Sequence, residues 1–190
     1  TYAQLETLKG KNKIWIFNTH FDHFGKMARE QSAKLLIKKI RNINTDGEPT
    51  VVMGDFNALD NSKVIEVLKK EFKDSMEISE KMHNGPIGTF NNFLPKQEIT
   101  KRIDYIFIYG MEIVSHEHVN KKLDNGNHIS DHLPVVTKMK VLKWKLFINY
   151  EKTFVLYYID SYLKFWEQEI MTEHASDILI IIDFISIGLS

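Results

Sequence analysis

The sequence predicts an α/β fold in which a mixed β-sheet is covered by helices. Two observations carry this prediction. The first part of the chain alternates short apolar runs with amphipathic helical patterns, which is typical of strands joined by crossover helices. From Gly85 onward the pattern changes to closely spaced short strands separated by turn residues, which indicates antiparallel pairing. An α/β start followed by antiparallel strands implies a mixed sheet.

The first part reads as strand, helix, strand, helix. Residues 14–17 form an apolar run that suits a buried strand and that ends in a cluster of polar residues. A helix is predicted over residues 26–43, because apolar residues recur there at the spacing of one helical face. Residues 50–53 form a second buried strand, and the polar caps at 60–62 begin a second helix.

The second part is predicted to contain short strands with turns between them. Gly110 and the Asn-Gly-Asn sequence at 125–127 mark two of these turns. The predicted strands cover residues 88–90, 103–109, 113–119 and 133–139. We therefore expect one domain over residues 1–141.

The composition changes after residue 141, where the chain becomes rich in aromatic residues and contains no proline. Aromatic side chains recur every three or four residues from Phe147 to Phe165, so we expect the tail 142–190 to be helical and to lie outside the domain pattern. The aromatic face either packs on the domain or is foreign to its fold. A partner-binding or interfacial helix is the alternative.

The composition limits the chemistry and the partners. The chain of 190 residues is 43% hydrophobic, and its 25 basic residues balance its 25 acidic ones, so the charge gives no signal for nucleic-acid or membrane binding. The absence of cysteine excludes disulfides, thiolate catalysis and cysteine zinc sites. No apolar run approaches the roughly 20 residues of a membrane span. We expect a soluble chain whose true N-terminus is missing before Thr1, which leaves its compartment open.

Four polar motifs each adjoin a predicted strand. They are Asn-Thr-His at 18–20, Gly-Asp-Phe-Asn at 54–57, Arg-Ile-Asp-Tyr at 102–105 and Ser-Asp-His at 130–132. Singly, such a histidine or Asp-His pair is more often a structural residue of a turn than a catalytic one. Their order along the chain, each at a strand end, predicts instead that they meet at one edge of the sheet.

These motifs, in this order and spacing, resemble the endonuclease/exonuclease/phosphatase superfamily over about residues 2–141. The resemblance implies a four-layered α/β sandwich built from two similar halves, of which this chain matches the C-terminal half. It also implies a divalent-metal-dependent phosphoester hydrolase, acting as a phosphodiesterase or a phosphatase. The sequence Thr-His-Phe-Asp-His at 19–23 is similar to the bacterial hydrolase branch of that family.

The resemblance assigns roles to five side chains. Asp55 would polarise or deprotonate the attacking water, and Asn57 would orient that water and donate to a phosphoryl oxygen. His132 would contact the phosphate oxygens with Asp104 as its carboxylate partner, either as a general base or as a cationic stabiliser. His20 would donate a hydrogen bond to the phosphate from the opposite side.

The resemblance also implies a metal ligand and supporting residues. Asp131 would face the divalent ion, and Mg²⁺ or Mn²⁺ is favoured because the available ligands are carboxylate and amide oxygens. Asp22, His23 and Arg29 continue the bacterial pattern. A loop contact to substrate and an internal salt bridge are equally open readings for these residues.

The resemblance predicts parts of a site that this chain does not contain. The first half of a family member supplies an Asn and a metal-binding Glu, and neither motif is present here. We therefore expect a truncated chain with weak or no activity, whose single sheet exposes a face that the missing half or another chain covers. The substrate is a phosphoester of unknown class.

Two alternatives to an enzyme are considered. A non-catalytic remnant or interaction module would retain the family motifs while the aromatic tail makes contacts. A protein that binds metal through its eight histidines is disfavoured, because no predicted helix carries two of them at the i, i+4 spacing of a zinc site.

Overall fold

The computed structural model describes residues 1–8 and 11–141, and the backbone of residues 177–182. No helix in these parts of the chain is long and apolar enough to cross a membrane. The elements follow in the order β1 (Tyr2–Glu6), β2 (Lys13–His20), α1 (Lys26–Ile43), β3 (Thr50–Asp55), α2 (Lys63–Lys69), β4 (Lys73–Asp74), β5 (Asp104–Tyr109), β6 (Met111–His118), β7 (Val135–Val141) and β8 (Asp177–Ile182).

The larger sheet has five strands in the order β1-β2-β3-β5-β4. Strands β2 and β3 are parallel and are joined by the crossover helix α1, whereas every other neighbouring pair is antiparallel. The predicted mixed sheet is therefore confirmed. Helix α1 has the predicted bounds, and its apolar positions Ala33, Ile37 and Ile40 are buried.

One face of this sheet packs on the two helices. Side chains alternate between the faces of a strand, so every second residue of β2, β3 and β5 points to the helices. The buried sheet residues are Phe17, Val52, Tyr105 and Phe107, and the buried helix residues are Ala33, Ile37, Ile40, Val64, Ile65 and Leu68. Each large apolar side chain buried in this way stabilises the fold by about 1.5–3 kcal/mol.

The opposite face packs on a second, antiparallel sheet in the order β6-β7-β8. The apolar cluster between the sheets contains Ile14, Val51, Ile106 and Ile108 from the first, and Met111, Ile113, Val135 and Met139 from the second. The expectation of a single sheet is wrong, because β6 and β7 of the chain itself cover these positions. The cause is local, because Gly110 at φ 73° lets the chain leave β5 and begin β6 in another layer. That the missing half or another chain covers further parts of the sheet stays a prediction.

Two further predictions differ from the structure. Residues 88–90 do not form a regular strand, and only Phe90 makes isolated bridges, to Lys101 and to His132. In the predicted helical tail the structure describes Asp177–Ile182, which is a strand because its run of β-branched residues favours extended backbone. The rest of 142–190 lies outside the described residues, so its helical character stays a prediction.

Candidate active site

Three neighbouring strands align three of the predicted site residues in a row. His20, at the end of β2, is paired with Asp55 at the end of β3, and Asp55 is paired with Asp104 at the start of β5. The carboxyl ends of the parallel strands and the amino end of the antiparallel strand meet at the same sheet edge. The motifs at strand ends therefore converge as their positions predicted.

Gly54 sets the spacing between β2 and β3 at this edge. Its φ is 143°, and a Cβ built on it would lie 1.8 Å from the carbonyl oxygen of Thr19, so only glycine fits. The close approach places Nε2 of His20 3.5 Å from Oδ2 of Asp55. Nδ1 of His20 lies 3.0 Å from the carbonyl oxygen of Phe21, to which it can donate.

Asn57 holds the carboxylate of Asp55 in place. Its backbone N–H donates to Oδ1 of Asp55 at 2.7 Å, and its side-chain Nδ2 donates to Oδ2 at 3.1 Å. The same Nδ2 donates to the carbonyl oxygen of Phe21 at 2.9 Å. Asn57 adopts φ 47°, a left-handed conformation that asparagine tolerates better than most residues. Its contact with a phosphoryl oxygen stays a prediction.

Asp104 and His132 form the predicted acid-imidazole pair. Nδ1 of His132 donates to Oδ2 of Asp104 at 2.8 Å, and Asp104 is fully buried. The ring of Phe90 meets the His132 ring edge-on, with centroids 5.1 Å apart. The hydroxyl oxygen of Thr89 accepts from the backbone N–H of Asp104 at 3.2 Å, so the 89–90 segment fixes both members of the pair.

Burial, hydrogen bonding and neighbouring charges shift two pKa values of the site upward. Burial raises the pKa of Asp55, and the negative charge of Asp104 raises it further, against a lowering by the Asn57 hydrogen bond and by His132 and His20. Burial lowers the pKa of His132, but the hydrogen bond to Asp104 and the charges of Asp104, Asp55 and Asp131 outweigh it, so the pKa is raised. The imidazole is thereby favoured as a cation.

A divalent cation fits the carboxylate oxygens at this edge, whereas a protonated His132 ring has no lone pair to offer it. One ligand atom from each of Asp55, Asp104 and His132 lies within 4.8 Å of the other two. Oδ1 of Asp104 is buried, and no described residue donates a hydrogen bond to it. Asp131, to which the resemblance assigns the metal, is half-buried and adjoins this group without being one of its three members. Its role as a ligand stays a prediction.

The residues of the bacterial pattern make structural contacts. Oδ1 of Asp22 accepts from the backbone N–H of Phe24 at 2.7 Å and of Gly25 at 2.5 Å, which shapes the turn before α1. Arg29 donates to the backbone carbonyl of Asp22 at 2.9 Å. Asp22 and Arg29 therefore stabilise a turn through backbone hydrogen bonds, and they do not form a side-chain salt bridge with each other. His23 is exposed and its ring lies against Phe24.

Sequence reasoning missed the buried ion pair behind the site. The guanidinium of Arg102 donates to both carboxylate oxygens of Asp74, at 2.8 and 2.6 Å, and lies 4.3 Å from the centre of the Tyr105 ring. The Tyr105 hydroxyl donates to the carbonyl of Arg102 at 3.0 Å. These contacts fix the start of β5 and thereby the position of Asp104. The Arg-Ile-Asp-Tyr motif contains Arg102 and Tyr105, but no sequence pattern marked Asp74 as their partner.

A cluster of three histidines was also not predicted from the sequence. His83, His116 and His118 each offer a ring nitrogen within 4.8 Å of the others. The available signal was the His-Glu-His sequence at 116–118, because residues two apart on a strand point to the same face.

Solved bacterial structures share this fold over most of the chain. A conserved protein of unknown function from Enterococcus faecalis is 27% identical, with a TM-score of 0.67, and the match covers 73% of this chain and 54% of that one. A mannosyl-6-phosphatase from Bacteroides thetaiotaomicron is 26% identical, with a TM-score of 0.66 and coverage of 73% and 55%. An endonuclease/exonuclease/phosphatase from Bacteroides vulgatus is 29% identical, with a TM-score of 0.66 and coverage of 74% and 54%.

The chain thus spans about half the length of these neighbours. A comparison with curated proteins gives no match. The family model described as the endonuclease/exonuclease/phosphatase family matches residues 8–132, which contain all four motifs. With these motifs gathered at one sheet edge, the chain belongs to the endonuclease/exonuclease/phosphatase family.

Proposed function

We propose that this chain supplies the catalytic edge of a divalent-metal-dependent phosphoester hydrolase. The observation that carries the proposal is the pair of the buried Asp104 and the half-buried His132, with its 2.8 Å hydrogen bond, beside the carboxylate of Asp55. Phosphoester hydrolysis needs an activated water and a positive group that stabilises the charge on the phosphate oxygens. A carboxylate next to an oriented, cationic imidazole meets both needs.

The surroundings of each side chain support a different proposed role in the reaction. Asp104 holds the His132 ring by Nδ1, so the opposite ring nitrogen is the one proposed to meet the phosphate oxygens. The raised pKa of His132 favours its charged form, which stabilises developing negative charge. The raised pKa of Asp55 makes its carboxylate a better proton acceptor for an attacking water. His20 would donate from the exposed side.

The donor set suits Mg²⁺ or Mn²⁺. Hard cations prefer oxygen ligands, and Asp55 and Asp104 offer carboxylate oxygens close together at the sheet edge. Oδ1 of Asp104 receives no hydrogen bond from the described residues, and Asp131 is the further carboxylate that the family resemblance adds. When bound, the ion would neutralise phosphate charge and polarise the scissile phosphoester. Burial and then the negative charge of Asp104 raise the pKa of Asp55, and a dication relieves such a local excess of negative charge.

A sugar phosphomonoester is the first substrate class to test. The support comes from the Bacteroides thetaiotaomicron neighbour, which is named a mannosyl-6-phosphatase and is 26% identical. Phosphodiesters are the second class, because the same proposed centre can act on either ester. The chain carries equal numbers of basic and acidic residues, which favours a small substrate over a long nucleic acid.

The competing proposal is a non-catalytic module that retains the motifs. It is favoured by the coverage, because the chain spans 54% of the Bacteroides vulgatus structure and we expect the remainder of such a protein to contribute to the metal site. The two proposals differ in whether the edge turns over substrate when that remainder is supplied. We therefore expect weak hydrolysis by the 190-residue chain alone.

The test is an activity assay by complementation. The chain is mixed with the part of the Bacteroides vulgatus protein that it does not match, and release of nitrophenol from nitrophenyl phosphate and from bis-nitrophenyl phosphate is followed with Mg²⁺ or with EDTA. We expect Mg²⁺-dependent hydrolysis from the mixture that exceeds the sum of the parts. If the mixture hydrolyses neither the monoester nor the diester in a metal-dependent way, the non-catalytic alternative is favoured.

A further inference from the structure

We propose that His83, His116 and His118 form a site for a first-row transition metal, with Zn²⁺ as its best fit, distinct from the candidate active site. One ring nitrogen of each residue lies within 4.8 Å of the other two. Nitrogens bound at about 2.1 Å to a tetrahedral zinc lie about 3.4 Å apart, so small ring rotations complete the coordination. Imidazole ligands suit Zn²⁺ rather than Mg²⁺.

The carbonyl oxygen of Pro86 fixes the tautomers of two rings. It lies 3.0 Å from Nε2 of His83 and 2.8 Å from Nδ1 of His118, and a carbonyl can only accept, so both nitrogens donate. In a neutral His118 ring, Nε2 then carries a lone pair. A ligating histidine typically donates its second N–H to such a carbonyl.

The contact between His83 and His116 fixes the third ring. Their Nδ1 atoms lie 3.0 Å apart, and a neutral His83 that donates through Nε2 has only a lone pair at Nδ1. His116 must then donate through Nδ1, which leaves its Nε2 as a bare acceptor. The Nε2 atoms of His116 and His118 are both buried, and no described residue donates to either. Two buried lone pairs without donors favour a Lewis acid. Nδ1 of His83 becomes the third ligand when its hydrogen bond from His116 is exchanged for the metal.

The surroundings keep these ligands ready to bind. His116 and His118 are 1% and 0% exposed. Burial lowers the pKa of His116 to about 2 and that of His118 to about 4, and the charge of Arg102 acts in the same direction. Neutral imidazole is the form that binds metal, and burial favours that form for His116 and His118. His83 is half-buried and provides the route of entry.

The site would fasten the 83–86 segment to β6. Asn84 already pairs with this strand, since its carbonyl accepts from the N–H of His118 at 3.0 Å. At Gly85, with φ 94°, a Cβ would lie 2.0 Å from the carbonyl oxygen of His118, so the two backbones are in close contact. The same segment continues to Thr89, whose hydroxyl accepts from the N–H of Asp104. A metal bound to the three histidines would therefore also stabilise the position of Asp104.

The test uses the 190-residue chain, stripped with EDTA and titrated with Zn²⁺ against a chromophoric chelator. We expect one Zn²⁺ per chain, and a rise in melting temperature of about 5 °C or more at 100-fold excess over Kd. His83→Gln and His118→Gln should each weaken Zn²⁺ binding at least about 10-fold. His128→Gln is the matched control, because His128 is also buried with an unpartnered Nδ1 among the described residues but lies outside the cluster.

Asp55→Asn separates this site from the candidate active site, and it should leave Zn²⁺ binding unchanged. The proposal is overturned if the wild-type chain retains no Zn²⁺, if the cluster variants bind as the wild type does, or if Asp55→Asn loses the metal equally. Should His118→Gln fail to fold, X-ray absorption of the wild-type zinc complex decides. Three imidazole nitrogens around the zinc support the site, and fewer than three contradict it.

Discussion

Nδ1 of His132 lies 2.8 Å from Oδ2 of Asp104, although 28 residues separate them in the chain. Backbone contacts create this proximity. The N–H of Leu133 donates to the carbonyl of Thr89 at 2.7 Å, and the hydroxyl of Thr89 accepts from the N–H of Asp104. The 89–90 segment therefore joins the strand that carries the acid to the loop that carries the imidazole.

The first prediction concerns the pH dependence of stability. The pKa of His132 is raised in the fold above the value of about 6.5 in the unfolded chain. The protonated pair therefore stabilises the fold fully below pH about 6.5, and this contribution is lost as the pH rises through the folded pKa. Asp104→Asn should remove that part of the pH dependence. Urea unfolding from pH 5 to 9 measures the difference in free energy of unfolding between the wild type and Asp104→Asn, in which the contributions of the other histidines cancel. If that difference does not change with pH, the Asp104–His132 pair is contradicted.

The second prediction concerns the carboxylates. Asp55 should titrate above the usual value of about 3.9, because burial and the charge of Asp104 raise its pKa. Asp22 should titrate below that value, because the N–H groups of Gly25 and Phe24 donate to it. In Asp104→Asn the pKa of Asp55 should fall while that of Asp22 stays in place. Carboxyl NMR titration gives both values in one sample, and an Asp55 that titrates with Asp22 contradicts the proposed environment.

The third prediction concerns the close approach of two strands. Gly54→Ala should destabilise the fold by roughly 3 kcal/mol, because the new Cβ would meet the carbonyl oxygen of Thr19 at 1.8 Å. Gly47→Ala is the control, since its φ is also positive at 67° but nothing lies within 4 Å. It should cost only about 1 kcal/mol. Equal costs in chemical unfolding would mean that β2 and β3 are not packed this tightly.

The fourth prediction concerns the ion pair behind the site. Arg102→Met should cost about 3–5 kcal/mol, because it removes the guanidinium that binds both oxygens of the fully buried Asp74 and leaves only Lys69, at 4.0 Å, as a cationic neighbour. Arg41→Met breaks the exposed pair with Glu71 and should cost at most about 1 kcal/mol. Thermal or urea unfolding measures both. A cost for Arg102→Met no larger than that for Arg41→Met would show that the pair does not support β5.

Local patterns were sufficient to predict the elements that position the site. The helix over 26–43 and the strands around 14–17 and 50–53 follow from periodicity, which depends only on neighbouring residues. The convergence of Asp55 and Asp104 follows from the position of each at a strand end. Their catalytic roles come from the family resemblance rather than from the geometry.

What could not be predicted depends on contacts between distant residues. The second sheet results from a change of layer at Gly110, which has the same sequence signature as an ordinary hairpin turn. The Arg102–Asp74 pair joins residues 28 apart, and His83 meets His116 across 33 residues. No local spacing rule detects such partners. The absence of a standard zinc spacing therefore did not exclude a histidine cluster.

The proposed active site is tested by the effect of two substitutions on Mg²⁺-dependent phosphoester hydrolysis by the complemented chain. His132→Ala and Asp55→Asn should each lower kcat/KM by about 100-fold or more, the scale of removing one acid-base or charge-stabilising group. His128→Ala, which changes a buried histidine outside the site, should keep the wild-type rate. If hydrolysis survives both substitutions, these side chains do not carry the reaction and the account of the sheet edge is wrong.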